Sequence, residues 1–292
     1  MGLTCLQKNH ISPKGKNMKN STKSLVIAVA FSLMSGTAFA AAECAVGKTV
    51  TDGVLTIGTG NPAYFPWVID DNPESGEGFE AAVAYALAEH MGFGADHVVW
   101  TRTTFDQAIQ PGAKDYDINM QQYSITDERR QTIDFSAPYY TSAASVLVRQ
   151  PTIDGGAQPN VASLKGLIWG AAAGTTANEI INALIAPDAS ILLYDDNADI
   201  TEALKSNQID AVLLDLPSAL FTAAVLLDDG VVLGQFQPDA NGGLDQFGAV
   251  LEKGSPLLEC VDAALAEMSA DGTLASIEAR WLQSETGVPV IE

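Results

Sequence analysis

The residues with the clearest capacity for chemistry lie in the stretch QQYSITDERR, residues 121–130, where amide and hydroxyl groups precede an arginine. A planar guanidinium suits a carboxylate because two parallel hydrogen bonds fix both position and orientation. Thr126 is expected to cap a short helix, and Asp127 and Glu128 suit the positive end of its dipole. Arg129 has no such explanation, and the alternative for this stretch is a surface helix with ordinary ion pairs.

A second candidate is Gly174-Thr175-Thr176, which precedes a predicted helix. Glu179 follows Thr176 by three positions, so the segment fits a capping box. It also fits a helix N-terminus whose N–H groups and hydroxyls receive an anion. The two interpretations are compatible, because Thr176 can cap while Thr175 and the backbone donate. A phosphate loop is excluded, since the segment has no lysine to reach the phosphates.

Two more loops carry groups that suit a binding site. Asp215 follows a predicted strand, where its carboxylate could receive an ammonium group or cap a turn. In GNPAYFPW, residues 60–67, prolines stiffen a turn that holds three aromatic side chains. These aromatics either form the wall of a pocket or a local hydrophobic plug.

The pattern along the chain alternates between strand-like and helix-like periods, which is typical of an α/β protein. Strands are predicted at 54–57, 97–100, 117–120, 145–149, 167–170, 191–194 and 210–214. Helices are predicted at 79–91, 105–109, 177–184, 200–205, 257–268 and 274–281. Two such sets indicate two lobes, and ligands of these sheets bind beyond the carboxyl ends of the strands.

Residues 1–40 are predicted to form a secretory signal peptide. They contain five lysines and no acid, and the short apolar run 25–34 is followed by Ala38-Phe39-Ala40. The run is too short to span a membrane, so we expect cleavage after Ala40 and export to the periplasm. Translation could begin at Met1 or at Met18.

The part that remains after cleavage is strongly acidic, with ten basic residues against 36 acids. This balance argues against a nucleic-acid partner, because phosphate contacts need a basic surface. In an oxidising compartment Cys44 and Cys260 are expected to pair, with two free thiols as the alternative. No cluster of His, Cys and carboxylates has zinc spacing, so we expect neither a metal nor another cofactor.

Six runs resemble, in this order, segments of the polar amino-acid substrate-binding proteins of bacterial ABC importers: GVLTIGTGNPAYFPW, GFEAAVAYAL, DYDINMQQYSITDERRQTIDFSAPYY, GAAAGTTANE, IDAVLLD and ADGTLASIEARWL. The resemblance spans nearly all of 51–284. It implies a periplasmic binding protein-like type II fold, in which two Rossmann-like α/β lobes are joined by two hinge strands. Lobe 1 would then be 51–146 plus 237–292, with lobe 2, residues 147–236, inserted in it.

The same resemblance implies roles for individual residues. Arg129 corresponds to the guanidinium that binds the ligand α-carboxylate, helped by Ser124 and by a donor from Thr176. The further positions are an acceptor of the α-ammonium, an aromatic that covers the ligand and an apolar wall residue: Asp215, Tyr64 and Phe105.

Two positions depart from the family pattern. Gln121 and Gln122 stand where small residues are common, so their amides should narrow the cavity and offer donors and acceptors to a polar side chain. Gly60 and Asn61 lie where binders of basic amino acids often carry an acid. We therefore expect a polar or uncharged amino acid as ligand.

The predicted function is capture of a free amino acid and its delivery to a membrane permease by a monomeric protein without enzymatic activity. The main alternative is an exported enzyme similar to cyclohexadienyl dehydratase, which needs a general acid of raised pKa in the cleft. The sequence offers no obvious spare acid for that role. A sensor domain and a purely structural exported protein are the remaining alternatives.

Overall fold

The computed structural model describes residues 44–237, 245–282 and 287–292. The predicted signal peptide, residues 1–40, lies outside these ranges. None of the described helices is long and apolar enough to cross a membrane, and no group of three metal-binding side chains occurs among the described residues.

Strands and helices alternate along the chain as the sequence periods predict. The strands are β1 (Leu55–Thr59), β2 (Val98–Arg102), β3 (Ile118–Asn119), β4 (Ile133–Ser142), β5 (Ala144–Arg149), β6 (Trp169–Ala172), β7 (Leu192–Tyr194), β8 (Ala211–Asp215), β9 (Gly230–Gln235) and β10 (Asp245–Glu252). The α-helices are α1 (Phe79–His90), α2 (Phe105–Ile109), α3 (Gln150–Asp154), α4 (Val161–Leu164), α5 (Ala177–Leu184), α6 (Asn197–Lys205), α7 (Leu216–Phe221), α8 (Leu258–Ala270) and α9 (Thr273–Trp281).

The first sheet has the strand order β2-β1-β3-β10-β4. Strand β1 pairs in parallel with β2 and β3, while β10 runs antiparallel to β3 and β4. All five residues of β1 are buried, as expected for a strand that is covered on both faces. Its side chains join a core with Trp67, Phe79 and Leu265, which belong to the loop after β1, to α1 and to α8.

The second sheet has the order β7-β6-β8-β5-β9. Here β6 pairs in parallel with β7 and β8, and β5 is antiparallel to β8 and β9. Its core includes Val146, Trp169, Ile181 and Leu213. Two mixed sheets with flanking helices confirm the predicted two-lobe α/β fold class.

The strands of the described residues change from the first sheet to the second at Ala143, between β4 and β5, and return to the first sheet at β10. Strand β5 pairs with the second sheet from Ala144 onward, so the first crossing comes before the expected boundary at 146/147.

The C-terminal segment 287–292 also differs from the expected assignment to lobe 1. Gln235 N donates to Pro289 O at 2.8 Å, and Ile291 N donates to Gln235 O at 2.9 Å. Ile291 is buried in the core of the second sheet. Its apolar side chain completes that core, and this places the segment on lobe 2.

A disulfide joins Cys44 to Cys260, with 5.7 Å between the two Cα atoms. Cys260 is fully buried in α8, and the bond therefore attaches the first described residue to the core of lobe 1. A cross-link over so long a loop restricts the unfolded chain strongly.

Candidate functional site

A cavity of about 410 Å³ lies between the two lobes. Its walls come from the carboxyl ends of β1, β6 and β8, from the loops that follow them, and from the start of β10. All nine residues predicted to bind the ligand line it: Tyr64, Phe105, Gln121, Gln122, Ser124, Arg129, Thr175, Thr176 and Asp215.

Arg129 begins a short 3-10 helix, and its backbone N–H donates to Thr126 Oγ1 at 3.1 Å. The N-cap of this helix is Glu128 rather than the predicted Thr126, although Thr126 does accept from the first helical N–H. Its Nη1 donates to Ser124 O and its Nη2 to Gly174 O, both at 2.7 Å. The guanidinium lies over the Phe105 ring, 5.5 Å from its centre. It forms no ion pair within the described part of the chain. This cation in the cavity wall is therefore available to a carboxylate.

The capping box predicted at Thr176 and Glu179 is absent, because the Thr176 side chain does not accept a hydrogen bond from the first turn of α5. Thr176 already has helical torsion angles (φ −73°, ψ −11°), whereas a capping residue is normally extended. Its Oγ1 instead lies 3.3 Å from Ser124 Oγ on the other lobe. Thr175 Oγ1 donates to Ala172 O at 2.8 Å, which orients its backbone.

Asp215 is the last residue of β8 and the N-cap of α7, where its Oδ1 accepts from Ser218 N at 2.8 Å. The cap is therefore present, and the carboxylate keeps capacity for a further donor, because a carboxylate can accept about four hydrogen bonds. Burial raises the pKa of Asp215 to about 6. Asp215 faces the cavity from lobe 2, whereas Arg129 faces it from lobe 1.

The amides of Gln121 and Gln122 are held by other side chains. Gln121 Nε2 donates to Thr103 Oγ1 at 2.8 Å and to Asn119 Oδ1 at 2.9 Å. The side-chain amide of Gln122 donates to the carboxylate of Glu80, which also accepts from the Gln122 backbone N–H at 2.7 Å. These contacts engage both N–H groups of Gln121 and one N–H group of Gln122, so the two amide oxygens and the second N–H of Gln122 are the groups left for a ligand.

Glu80 is a site residue that the sequence analysis missed, and the expectation of no spare acid in the cleft is wrong. It lies on α1, lines the cavity and is only 1% exposed. Tyr139 Oη donates to the same carboxylate. Burial raises the pKa of Glu80 to about 7. The available signal was an acid between Phe79 and Ala81 in an otherwise apolar segment.

Acids outnumber bases around the cavity. Among the residues that the structure describes, six carboxylates line it against the single basic side chain of Arg129: Glu80, Asp106, Asp195, Asp196, Asp215 and Asp245. Burial raises the pKa of Asp245, while the nearby Arg129 opposes that shift. Such a lining repels a second negative charge on a ligand.

The aromatic loop contributes both a wall and a plug. Trp67 is fully buried, and its Nε1 donates to Ser218 Oγ on lobe 2 at 2.9 Å. Tyr64 lines the cavity, and its hydroxyl is buried with no hydrogen-bond partner among the described residues. Arg102 fixes the loop by donating to Gly60 O at 2.7 Å and to Asp71 O at 2.6 Å.

Comparison with known proteins gives a consistent picture. Residues 55–284 match the family of bacterial extracellular solute-binding proteins, family 3. The L-cystine-binding protein TcyJ of Escherichia coli (strain K12) is 29% identical over 245 residues, which cover 83% of this chain and 88% of that protein.

Two solved structures are also similar. An ancestral arginine-binding protein bound to arginine has a TM-score of 0.64 and 25% identity, covering 79% of this chain and 99% of its own. The ancestral amino acid-binding protein AncCDT-1, a precursor of cyclohexadienyl dehydratase, has a TM-score of 0.62 and 28% identity, covering 79% and 96%.

Proposed function

Because the chain belongs to the bacterial extracellular solute-binding proteins of family 3, we propose that it captures a free amino acid between its lobes. It then delivers this ligand to the membrane permease of an ABC importer. The export signal proposed for residues 1–40 agrees with a protein that works outside the cytoplasm.

The observation that carries this proposal is the placement of two opposite charges on opposite walls of one cavity. Arg129 of lobe 1 has no ion-pair partner among the described residues, and Asp215 of lobe 2 has spare acceptor capacity. A zwitterion is costly to desolvate unless both of its ends are paired. Bound α-carboxylate and α-ammonium groups would satisfy both charges at once.

Such a ligand would also favour closure of the lobes. The contacts of Arg129 with Gly174, of Ser124 with Thr176 and of Trp67 with Ser218 all cross the cleft. A ligand that bridges Arg129 and Asp215 makes both of its ionic contacts only when the lobes are together. Differential contacts of this kind are the condition for a shift in population.

The proposed ligand side chain is uncharged and carries a hydrogen-bond donor. The amide oxygens of Gln121 and Gln122 would accept from it, since both N–H groups of Gln121 are engaged by Thr103 and Asn119, and Glu80 orients the amide of Gln122 by accepting from one of its N–H groups. The carboxylates around the cavity disfavour aspartate and glutamate. Glutamine fits these requirements and is our first candidate.

A thermal-shift screen of the twenty common amino acids tests the proposal. A ligand at a thousand times its dissociation constant should stabilise the folded protein by about 4 kcal/mol. The best ligand is then compared with its α-carboxamide and its N-acetyl derivative, each of which removes one charge. We expect both derivatives to lose the stabilisation. A full shift with either derivative would show that the two charges are not both bound.

A dehydratase is the second candidate, and Glu80 is the observation that favours it, because a buried acid with a pKa of about 7 could act as a general acid. Its carboxylate, however, accepts hydrogen bonds from Tyr139 and from Gln122. Incubation with prephenate decides between the two functions. Turnover that disappears in Glu80→Gln would establish the enzyme, whereas binding without turnover supports transport.

A further inference from the structure

A second cavity of about 430 Å³ adjoins the first. One wall is the loop 63–71 of lobe 1, and the other is formed by α6 and α7 of lobe 2. Six residues line both cavities: Ala63, Tyr64, Val68, Gln122, Asn197 and Leu214. The two spaces therefore share a boundary at the Gln122 end of the first cavity.

The chemistry of the second cavity differs from that of the first. Ile200, Leu204, Val212 and Leu226 give it apolar walls. Two of its acids already have partners, since Asp71 is paired with Arg102, and Glu202 contacts Lys205 at 2.7 Å. Asp70 is exposed to solvent. Such walls suit an apolar group without charge.

Tyr64 stands at the boundary and carries the buried hydroxyl that lacks a partner. The negative charges of Asp196, which lines the first cavity, and of Asp71, which lines the second, both disfavour ionisation of this hydroxyl. Burial and then the charge of Asp196 raise the pKa of Tyr64 to about 12, with smaller contributions from Asp199 and Asp71, while the nearby backbone N–H of Ala198 lowers it. The hydroxyl therefore stays protonated and can donate a hydrogen bond to an acceptor placed between the cavities.

We propose that the second cavity receives the outer part of the ligand's side chain, which passes Tyr64 and Gln122. The inference rests on the proposed function, because Arg129 and Asp215 would hold the amino-acid end. The substrate class is an uncharged amino acid whose polar group lies beside Tyr64 and whose side chain continues as an apolar tail. An N-substituted glutamine amide has this form, because its carbonyl accepts from Tyr64 while its remaining N–H donates to Gln122.

Calorimetry with L-glutamine, γ-N-ethyl-L-glutamine and γ-N-hexyl-L-glutamine tests the proposal on the mature protein. Burial of a methylene group strengthens binding by about fourfold, so the hexyl compound should bind at least tenfold tighter than glutamine. Ala198 is exposed, lies in the first turn of α6 and lines only the second cavity. Ala198→Phe should abolish the gain in affinity that the hexyl tail provides, and Ala198→Leu should reduce that gain partly.

Ala183→Phe is the matched control, because Ala183 is an exposed alanine of α5 that lines neither cavity. It should keep the full gain from the tail. Thermal unfolding of each variant shows that it is folded before its binding is compared.

The outcomes separate this inference from the proposed function. If glutamine binds but the tail adds no affinity, or if Ala198→Phe keeps the gain, the second cavity is not a side-chain site. If no amino acid binds, the proposed function itself fails, and this inference fails with it.

Discussion

The two ends of the first cavity are built in different ways. At the carboxylate end, Arg129 is held by Ser124 O, which is five residues away in the chain, and by Gly174 O. At the other end, the amides of Gln121 and Gln122 are oriented by side chains from β3, from the loop after β2 and from α1. The Arg129 end, called the charged end below, is therefore held by backbone carbonyl groups, one of them on the other lobe. The end at Gln121 and Gln122, called the preference end because we propose that it selects the ligand side chain, is held by side-chain contacts within lobe 1.

The first way to test this contrast is to remove the acid that faces Arg129. Asp215→Asn keeps a good capping residue at the start of α7 but removes the partner of the ligand's ammonium group. We expect amino-acid binding to weaken by about a hundredfold. Calorimetry checks this, with Asp188→Asn as an exposed control that should bind normally. A loss below threefold would show that Asp215 serves only as a cap.

The second prediction concerns the contribution of Glu80, at the preference end, to the stability of the folded protein. Burial raises the pKa of Glu80, so the folded protein takes up a proton that the unfolded chain releases near pH 4.5. The contribution of this group to stability is therefore largest at low pH and falls as pH rises through about 7. The expected decrease is about 3 kcal/mol.

Urea unfolding at pH 4.5 and pH 7.5 measures this effect. Glu80→Gln should lack that part of the decrease, whereas Glu89→Gln, an exposed position on the same helix, should keep it. Identical pH dependence in all three proteins would mean that Glu80 has an ordinary pKa in the folded state.

The third prediction is a pH dependence of binding at the charged end. The ligand's ammonium group needs the ionised form of Asp215, whose pKa is raised by burial to about 6. Protons compete with the ligand below that pH, so the affinity should fall about tenfold for each further unit of pH. Calorimetry between pH 5 and pH 7.5 measures the fall, which should be absent in Asp215→Asn.

The fourth prediction, with the smallest expected effect, concerns how Glu80→Gln changes the choice between glutamine and glutamate at the preference end. In Glu80→Gln, the new amide can place its NH2 group against the NH2 of Gln122, so Gln122 should turn its own NH2 toward the cavity. A donor in that place suits an acceptor on the ligand. We expect the ratio of glutamine to glutamate affinity to shrink by about fivefold. An unchanged ratio would show that the Gln122 amide does not contact the side chain of the ligand.

The parts that could be predicted from sequence are those with local signals. The alternating strand and helix periods predicted the α/β class. The order of the motifs predicted nine ligand-binding residues, all of which line one cavity. Strands β4, β9 and β10 were missed. Strand β4 contains Ser136 and Pro138 and does not show a simple alternation, so only its long pairing with β10 makes it a strand.

The errors share one cause, which is that tertiary contacts decide what a local pattern leaves open. Glu80 looks like a first-turn acid that favours the helix dipole, but its burial depends on Tyr139, which is 59 residues away. Thr176 fits a capping box, yet its hydroxyl meets Ser124 across the cleft. Ile291 lies in lobe 2 because the core around β5 and β9 has space for it.

The central claim is that Arg129 binds the carboxylate of a free amino acid, and its neighbour provides the matched control. Arg130 is exposed, lines neither cavity and lies over the Phe135 ring. Calorimetry with the best amino acid should show loss of at least a hundredfold in affinity for Arg129→Ala and less than threefold for Arg130→Ala. An Arg129→Ala protein that is folded and binds within tenfold of the unsubstituted protein would contradict the account.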